Sequence, residues 1–421
     1  MLKGIGNASF ADRIVTPLFD PMRRKGILVK SVLSERKTLH PPHIERRALP
    51  AEAGQAVRAL AREICTDLES LPGDRRELAR TLTDPELLAR VDARVGELPP
   101  VLDRVLRAPG AAGATIVSRL PVTDDEFGPT PATWREAAAW AGDPGRRARS
   151  LEFDVVMMLL GRRAGEPFGW QGQQDGRLVN NILPSPGHED EQSGASSKTL
   201  LSPHTEDAFH PARSNLLVLA CLRNPDRVGT TVSSVRRVAL DEAELDVLGV
   251  PTLPILPDVS YGEGHQRYRA TPIPTVWRES IRGTADLTLR YDPAYTPLDD
   301  ADPEFRRAYA HLTAELERVC VTAALEPGEL LLVDNDVAVH GRVPFTARYD
   351  GTDRWLKRVN IHLPERRRRA AEADENGYGQ RIVAPFRDGT YRQATGDGRY
   401  AVPGAGAEWG SDDERGTVEH T

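Results

Sequence analysis

His204-Thr205-Glu206 and His340 are separated by more than a hundred residues, so a chain that uses them together must bring two remote segments side by side. Residues two apart on a strand point the same way, which lets His204 and Glu206 reach one metal while Thr205 points elsewhere. Two neutral imidazoles and one carboxylate cover one face of a divalent iron and leave three coordination positions open. An H-x-E triplet is common by itself, and its surroundings decide its meaning. Glu326-Pro-Gly-Glu-Leu-Leu-Leu-Val-Asp334-Asn335 reads as a turn and a buried apolar strand that deliver His340 shortly afterwards. Downstream, Arg354 and Arg358 are four apart and share one face of a strand, so two cations point into one cavity. A planar guanidinium suits bidentate carboxylate binding.

Further strands are expected at Ala114–Leu120, Leu151–Leu160, Arg177–Ile182, Asn215–Leu222 and Thr230–Val235, with Gly and Pro between the later ones. Helical spacing marks Glu52–Leu71, Pro85–Leu98 and Asp302–Leu325. The expectation is a mainly β fold with supporting helices around a double-stranded β-helix, a cupin-like jelly roll. Residues 1–50, including Arg23-Arg24-Lys25 and His40-Pro-Pro-His43, read as an extension over the domain surface, 51–363 as the domain, and 364–421 as a polar tail. Within that tail, Arg366–Arg369 read as a solvated cluster flanked by acids. The Ser-, Gly-, Pro- and acid-rich segment Pro184–Ser197 reads as a mobile loop placed as a lid just before the metal motif.

Ser202-Pro-His204-Thr-Glu206-Asp-Ala-Phe-His210, followed by Leu216-Leu-Val-Leu-Ala-Cys221-Leu-Arg, resembles the clavaminate synthase-like branch of the 2-oxoglutarate dioxygenases. Within that branch the chain is most similar to amino-acid oxygenases that hydroxylate arginine in antibiotic pathways. Gln173-Gln174-Asp175-Gly176-Arg177, Val333-Asp334-Asn335 and Asp350-Gly-Thr-Asp-Arg354-Trp355-Leu match in the same order, over roughly residues 100–363. The resemblance implies Fe(II) on His204, Glu206 and His340, with 2-oxoglutarate and O2 as co-substrates and no catalytic residue beyond the metal ligands. It assigns the co-substrate carboxylate to Arg354 and Thr230, with Thr231 a rival on the opposite strand face. It further assigns the substrate's α-carboxylate to Arg358, its α-amine to Gln173 or Gln174 with Glu206 nearby, and its far end to Asp292. Arg290 and Tyr291, just upstream of Asp292, weaken a clamp of two carboxylates. Asp207 departs from the apolar residue expected after the Glu ligand, and His210 is given a supporting role behind the ligands.

The implied reaction is hydroxylation of an unactivated carbon of a free L-amino acid of arginine, citrulline or lysine type in natural-product biosynthesis. Glu206, where related halogenases carry a small residue, argues against halogenation. The same chemistry, hydroxylation or desaturation, on a larger or carrier-tethered intermediate is the second reading. A catalytically inactive jelly-roll binding protein is the third. The net charge of -7 supplies no basic footprint for nucleic acid. No stretch approaches the ~20 apolar residues of a membrane-spanning helix. Three scattered cysteines, Cys65, Cys221 and Cys320, read as reduced thiols of a cytoplasmic enzyme. The partner that the resemblance implies is a small amino-acid-type molecule, and the oligomeric state is not legible.

Overall fold

Every residue of Leu216–Arg223 is buried, and alternate residues serve two different cores. Leu217, Leu219 and Cys221 pack with Val232 and Ala338, whereas Leu216, Val218, Ala220 and Leu222 face a layer of helices. A strand covered on both sides has no polar face, which is why it reads as an unbroken apolar run. In this computed structural model the described residues are 43–388, apart from 74–77, 79, 111, 124, 144–146, 263, 282–283 and 367–369. The strands are β1 (Glu45–Ala48), β2 (Ala114–Ser118), β3 (Glu166–Trp170), β4 (Asn180–Ile182), β5 (Leu201–His204), β6 (Leu216–Arg223) and β7 (Thr230–Ser234). They continue as β8 (Val276–Ile281), β9 (Thr284–Leu289), β10 (Val321–Ala323), β11 (Leu330–Asp334), β12 (Ala338–Arg342), β13 (Trp355–His362) and β14 (Ile382–Val383).

One sheet has the order β1-β2-β11-β6-β13-β3-β14, with β4 also paired to β13; the other has the order β10-β7-β12-β5. Side chains from both, among them Ile116, Leu219, Leu331, Val232, Ala338 and Leu356, form the core between them. The chain is thus a jelly roll with supporting helices. Strands β8 and β9 form a separate antiparallel pair. Helix Pro303–Arg318, started by Asp302 accepting from the Glu304 and Phe305 amides, packs Phe305, Tyr309, Leu312 and Leu316 into a further core beside Val337 and Val339. No helix among the described residues is long and apolar enough to cross a membrane.

Three expectations need correcting. Leu151–Leu160 is part of the helix Arg147–Ala164 and not a strand. Phe153 and Val155 through Leu160 are all at most 2% exposed, and an apolar run buried all round carries no period that separates helix from strand. Gly161 lets this helix approach β13, because a Cβ there would lie 3.0 Å from Val359 and from Pro167. The boundary at residue 50 also moves, since β1 pairs in parallel with β2. Residues beyond 363 likewise contribute: β14 pairs with β3, and Arg366 is not solvated but forms a bidentate pair with Asp334 at 2.6 and 2.9 Å. The buried acids that precede the His340 strand attract that cation. Residues 1–42, Arg367–Arg369 and 389–421 lie outside the described residues.

Candidate metal centre and substrate cavity

Adjacent strands solve the problem of distance, for His340 on β12 is the register partner of His204 at the end of β5. Their rings stand 4.7 Å apart between centroids. Glu206 does not continue the strand, as the alternation argument required; β5 stops at His204 and Glu206 lies in the following turn. Asn335 holds that turn, accepting from the Glu206 amide at 2.8 Å and donating to the Glu206 carbonyl at 3.0 Å. The three side chains offer ligand atoms that all lie within 4.8 Å of one another. Glu206 Oε2 is 3.3 Å from His340 Nε2 and 3.7 Å from His204 Nε2.

This donor set fits a divalent iron. His204 Nδ1 bonds the Ser202 carbonyl at 2.8 Å, which makes Nδ1 the protonated nitrogen and leaves the Nε2 lone pair for a metal. Burial disfavours charge on both rings. It holds His340 below the usual histidine range, whereas Glu206 and Asp292 outweigh it at His204 and push that ring up to about 9. A metal bound there displaces the extra proton.

A cavity of about 390 Å³ opens from the three donors. On one side Arg354, only 7% exposed, donates to Thr230 Oγ1 at 3.0 Å and has no carboxylate partner among the described residues. Burial pushes its guanidinium down to about 10. Thr230 lines the cavity, whereas Thr231 lies under Gly341 and its hydroxyl has no partner. Arg342, two residues beyond His340 on the same strand, also lines this wall and was not singled out from the sequence. It donates to the Ser197 and Thr199 carbonyls and to Ser196 Oγ, and the i, i+2 spacing from His340 was the available signal.

Four residues after Arg354, Arg358 donates to Glu206 Oε1, to Gln173 Oε1 and, at 3.2 Å, to Asn180 Oδ1. Its neighbour Gln174 also borders the cavity, but both ends of its amide are bound to the Asn181 backbone at 2.8 and 2.9 Å. Asp292 departs from expectation. It does not line the cavity; its carboxylate caps Ala294 N at 3.1 Å, and burial raises it to about 6. Besides Asp175, Glu191 and the donor Glu206, the acids on the cavity wall include Asp258, whose carboxyl burial also pushes up, followed by Val259 and Ser260. Arg290 and Tyr291 do not weaken this acidic end. Arg290 turns away to Glu375 at 2.8 Å and to the Ala208 carbonyl at 2.9 Å, while the Tyr291 hydroxyl pairs with Thr313.

The Pro184–Ser197 segment forms one wall of the cavity through Ser185, Pro186 and Gln192–Ala195. Its ends are tied together by Ser185 N to Ala195 O at 2.9 Å and anchored by Arg342. His210 faces away from the donors. Its Nδ1 accepts from Ala212 N, its Nε2 bonds Gln380 O, and Gly377 packs so closely that a Cβ there would sit 2.2 Å from Nε2. Glycine is required at 377 on that ground and by its φ of +55°.

The model of the taurine catabolism dioxygenase TauD, TfdA family matches residues 150–360. An L-ornithine/L-arginine 3-hydroxylase of Catenulispora acidiphila is 36% identical over 66% of this chain and 86% of its own length. An L-asparagine oxygenase of Streptomyces coelicolor is 35% identical over 65% and 77%. Among solved structures, the non-heme iron oxygenase OrfP with Fe, succinate and (3S)-hydroxy-L-Arg aligns with a TM-score of 0.61 and 35% identity, over 75% of this chain and 94% of that one. Asparagine oxygenase with Fe(II), 3-hydroxyasparagine and succinate aligns with a TM-score of 0.62 and 31% identity, over 75% and 93%.

Proposed function

The chain is a member of the TauD/TfdA dioxygenase family, and from that premise we propose that it hydroxylates the side chain of a free L-amino acid in natural-product biosynthesis. Fe(II) held by His204, Glu206 and His340 supplies the oxidising chemistry: 2-oxoglutarate and O2 become succinate and carbon dioxide while one oxygen atom enters a C–H bond. One observation carries the reading. Two buried arginines, Arg354 and Arg358, line the one cavity that opens from the metal donors, one bonded to Thr230 and the other to Glu206.

Each arginine has a separate anion to bind. Arg354 and Thr230 receive the distal carboxylate of 2-oxoglutarate, and Arg358 with Gln173 receives the α-carboxylate end of the amino acid. Asp258, with Asp292 behind it, gives the far end of the cavity a negative potential suited to an ammonium or guanidinium. A substrate held at both ends presents a middle carbon to the iron. Arginine, ornithine and lysine are therefore the preferred candidates over neutral amino acids. The intact donor set and both arginines weigh against an inactive binding protein.

The test is succinate formation with Fe(II) and 2-oxoglutarate across a panel of free L-amino acids and carrier-linked conjugates, read together with product mass. The expected result is stimulation by a free cationic amino acid that gains one oxygen atom. Stimulation by conjugates alone would reject the free-amino-acid reading, and a product short of two hydrogens would reject hydroxylation.

A further inference from the structure

Asp207 immediately follows the ligand Glu206 and holds φ at +53°, a left-handed conformation that Asp adopts more readily than most residues. Its carboxylate is 7% exposed and has aromatic donors on both oxygens: the Tyr261 hydroxyl donates to Oδ1, and Trp170 Nε1 donates to Oδ2 at 2.6 Å. Asn360 Nδ2 lies 3.5 Å from Oδ2. Tyr261 closes the short turn Val259–Tyr261, which Asp258 caps by accepting from Ser260 N at 2.7 Å. The members of that turn that reach the cavity are Asp258, Val259 and Ser260.

The rest of this segment is tied to Tyr295, through Leu256 N to its carbonyl at 3.0 Å and through its side chain to the Val259 backbone. Val259 is 55% exposed, Gly262 and Gly264 follow with φ of +74° and +124°, and a Cβ at Gly262 would touch nothing within 4 Å. From the turn to the barrel, side-chain bonds run through Tyr261 to Asp207 and, at 3.4 Å, through Gln173 to Ser260. The Tyr261 ring meets Phe209 at 4.8 Å and Trp170 at 6.1 Å, both edge-on. A buried phenol on a buried carboxyl group is the strongest of these ties, because the loss of one partner leaves the other desolvated and unpaired.

We propose that Tyr261 is a positioning residue that latches the substrate-facing turn Asp258–Ser260 to the metal loop through Asp207, so that an ordered metal loop orders the amino-acid pocket. This rests on the proposed amino-acid hydroxylation. The latch acts on the amino acid and on coupling, not on the metal or 2-oxoglutarate, because Arg354 and Thr230 bond each other and not Asp207 or Tyr261. Without it, substrate is presented loosely, and 2-oxoglutarate is consumed without a matching hydroxylation.

Tyr261→Phe in the full chain removes the hydroxyl and keeps the ring. The expected result is a rise in the amino-acid KM of about tenfold, the loss of one buried hydrogen bond that leaves its partner unpaired, with succinate exceeding hydroxylated product. The KM for 2-oxoglutarate and the anaerobic absorption band of the Fe(II)–2-oxoglutarate complex stay as in the wild type. Unchanged amino-acid KM and coupling, or a lost absorption band, would overturn the proposal. Hydrogen–deuterium exchange on the wild-type chain needs no variant and no amino-acid substrate. Anaerobic Fe(II) and 2-oxoglutarate should slow exchange in peptides covering 205–210 and also 256–262. Slowing confined to 205–210 would overturn the latch, whereas failure of Fe(II) and 2-oxoglutarate to bind would reject the enzyme reading.

Discussion

Glu206 and Arg358 share one carboxylate with the metal position: Oε1 accepts from the guanidinium, while Oε2 faces the two histidine Nε2 atoms. The arginine proposed to grip the amino acid therefore also neutralises a metal ligand, and it holds that carboxyl well below the usual carboxylate range. Arg358→Ala is expected to raise the amino-acid KM about a hundredfold, as for loss of a buried charged pair, while the three ligands still bind Fe(II). A variant with weakened iron affinity but an unchanged amino-acid KM at saturating Fe(II) would place Arg358 with the metal alone. Steady-state kinetics and an iron titration separate the two.

Arg354 has Thr230 as its side-chain partner and no buried acid to compete for it. Replacing it with lysine keeps a charge but loses the planar fork. The expected outcome for Arg354→Lys is a 2-oxoglutarate KM raised by about tenfold or more, with the thermal unfolding midpoint little changed. Unaltered co-substrate dependence would remove Arg354 from that site.

Asp258 lines the cavity and Asp292 lies behind it, so the two acids should differ in effect. Asp258→Asn is expected to penalise arginine, ornithine or lysine about tenfold more than asparagine or citrulline, because a desolvated cation loses its counter-charge. Asp292→Asn should discriminate less. Equal losses for cationic and neutral amino acids in Asp258→Asn would show that the far end is read elsewhere, for example by Gln192 of the Pro184–Ser197 wall.

His210 links pH to stability. Burial first, then the nearby Arg290 and Arg213, holds its pKa down to about 3 against an ordinary 6.5. Between those values the unfolded chain binds the proton and the folded chain does not, so this group's contribution is present above about 6.5 and is lost as pH falls toward 3, by up to ~1.4 kcal/mol per pH unit. Urea unfolding from pH 7 to 4 should show a shallower acid loss in His210→Asn than in the wild type. Parallel curves would mean that His210 is protonated in the fold.

The metal set, Arg354 and the strand leading to His340 were legible because each rests on a short local pattern of residue type and spacing. The β6 run was legible because both of its faces are buried. Leu151–Leu160 was misread as a strand for the same reason, since complete burial erases the period. Asp258 and Arg342 carry no motif of their own, and only the fold shows that they border the cavity. Arg290 looked like a threat to the acidic end because its partners, Glu372 and Glu375, lie more than eighty residues downstream. The C-terminal segment read as tail because its polar residues are charged ones, yet those charges are buried in pairs with Arg213, Arg290 and Asp334.

The central claim is that this site joins O2 to both 2-oxoglutarate and an amino acid. Turnover under isotopically heavy dioxygen, with Fe(II), 2-oxoglutarate and the amino acid that stimulates succinate formation, measures it directly by mass spectrometry. The account predicts one heavy oxygen atom in succinate and one in the hydroxylated amino acid, in equal amounts, and neither product from His340→Ala. Heavy oxygen absent from the amino acid, or labelled product persisting in His340→Ala, would contradict it.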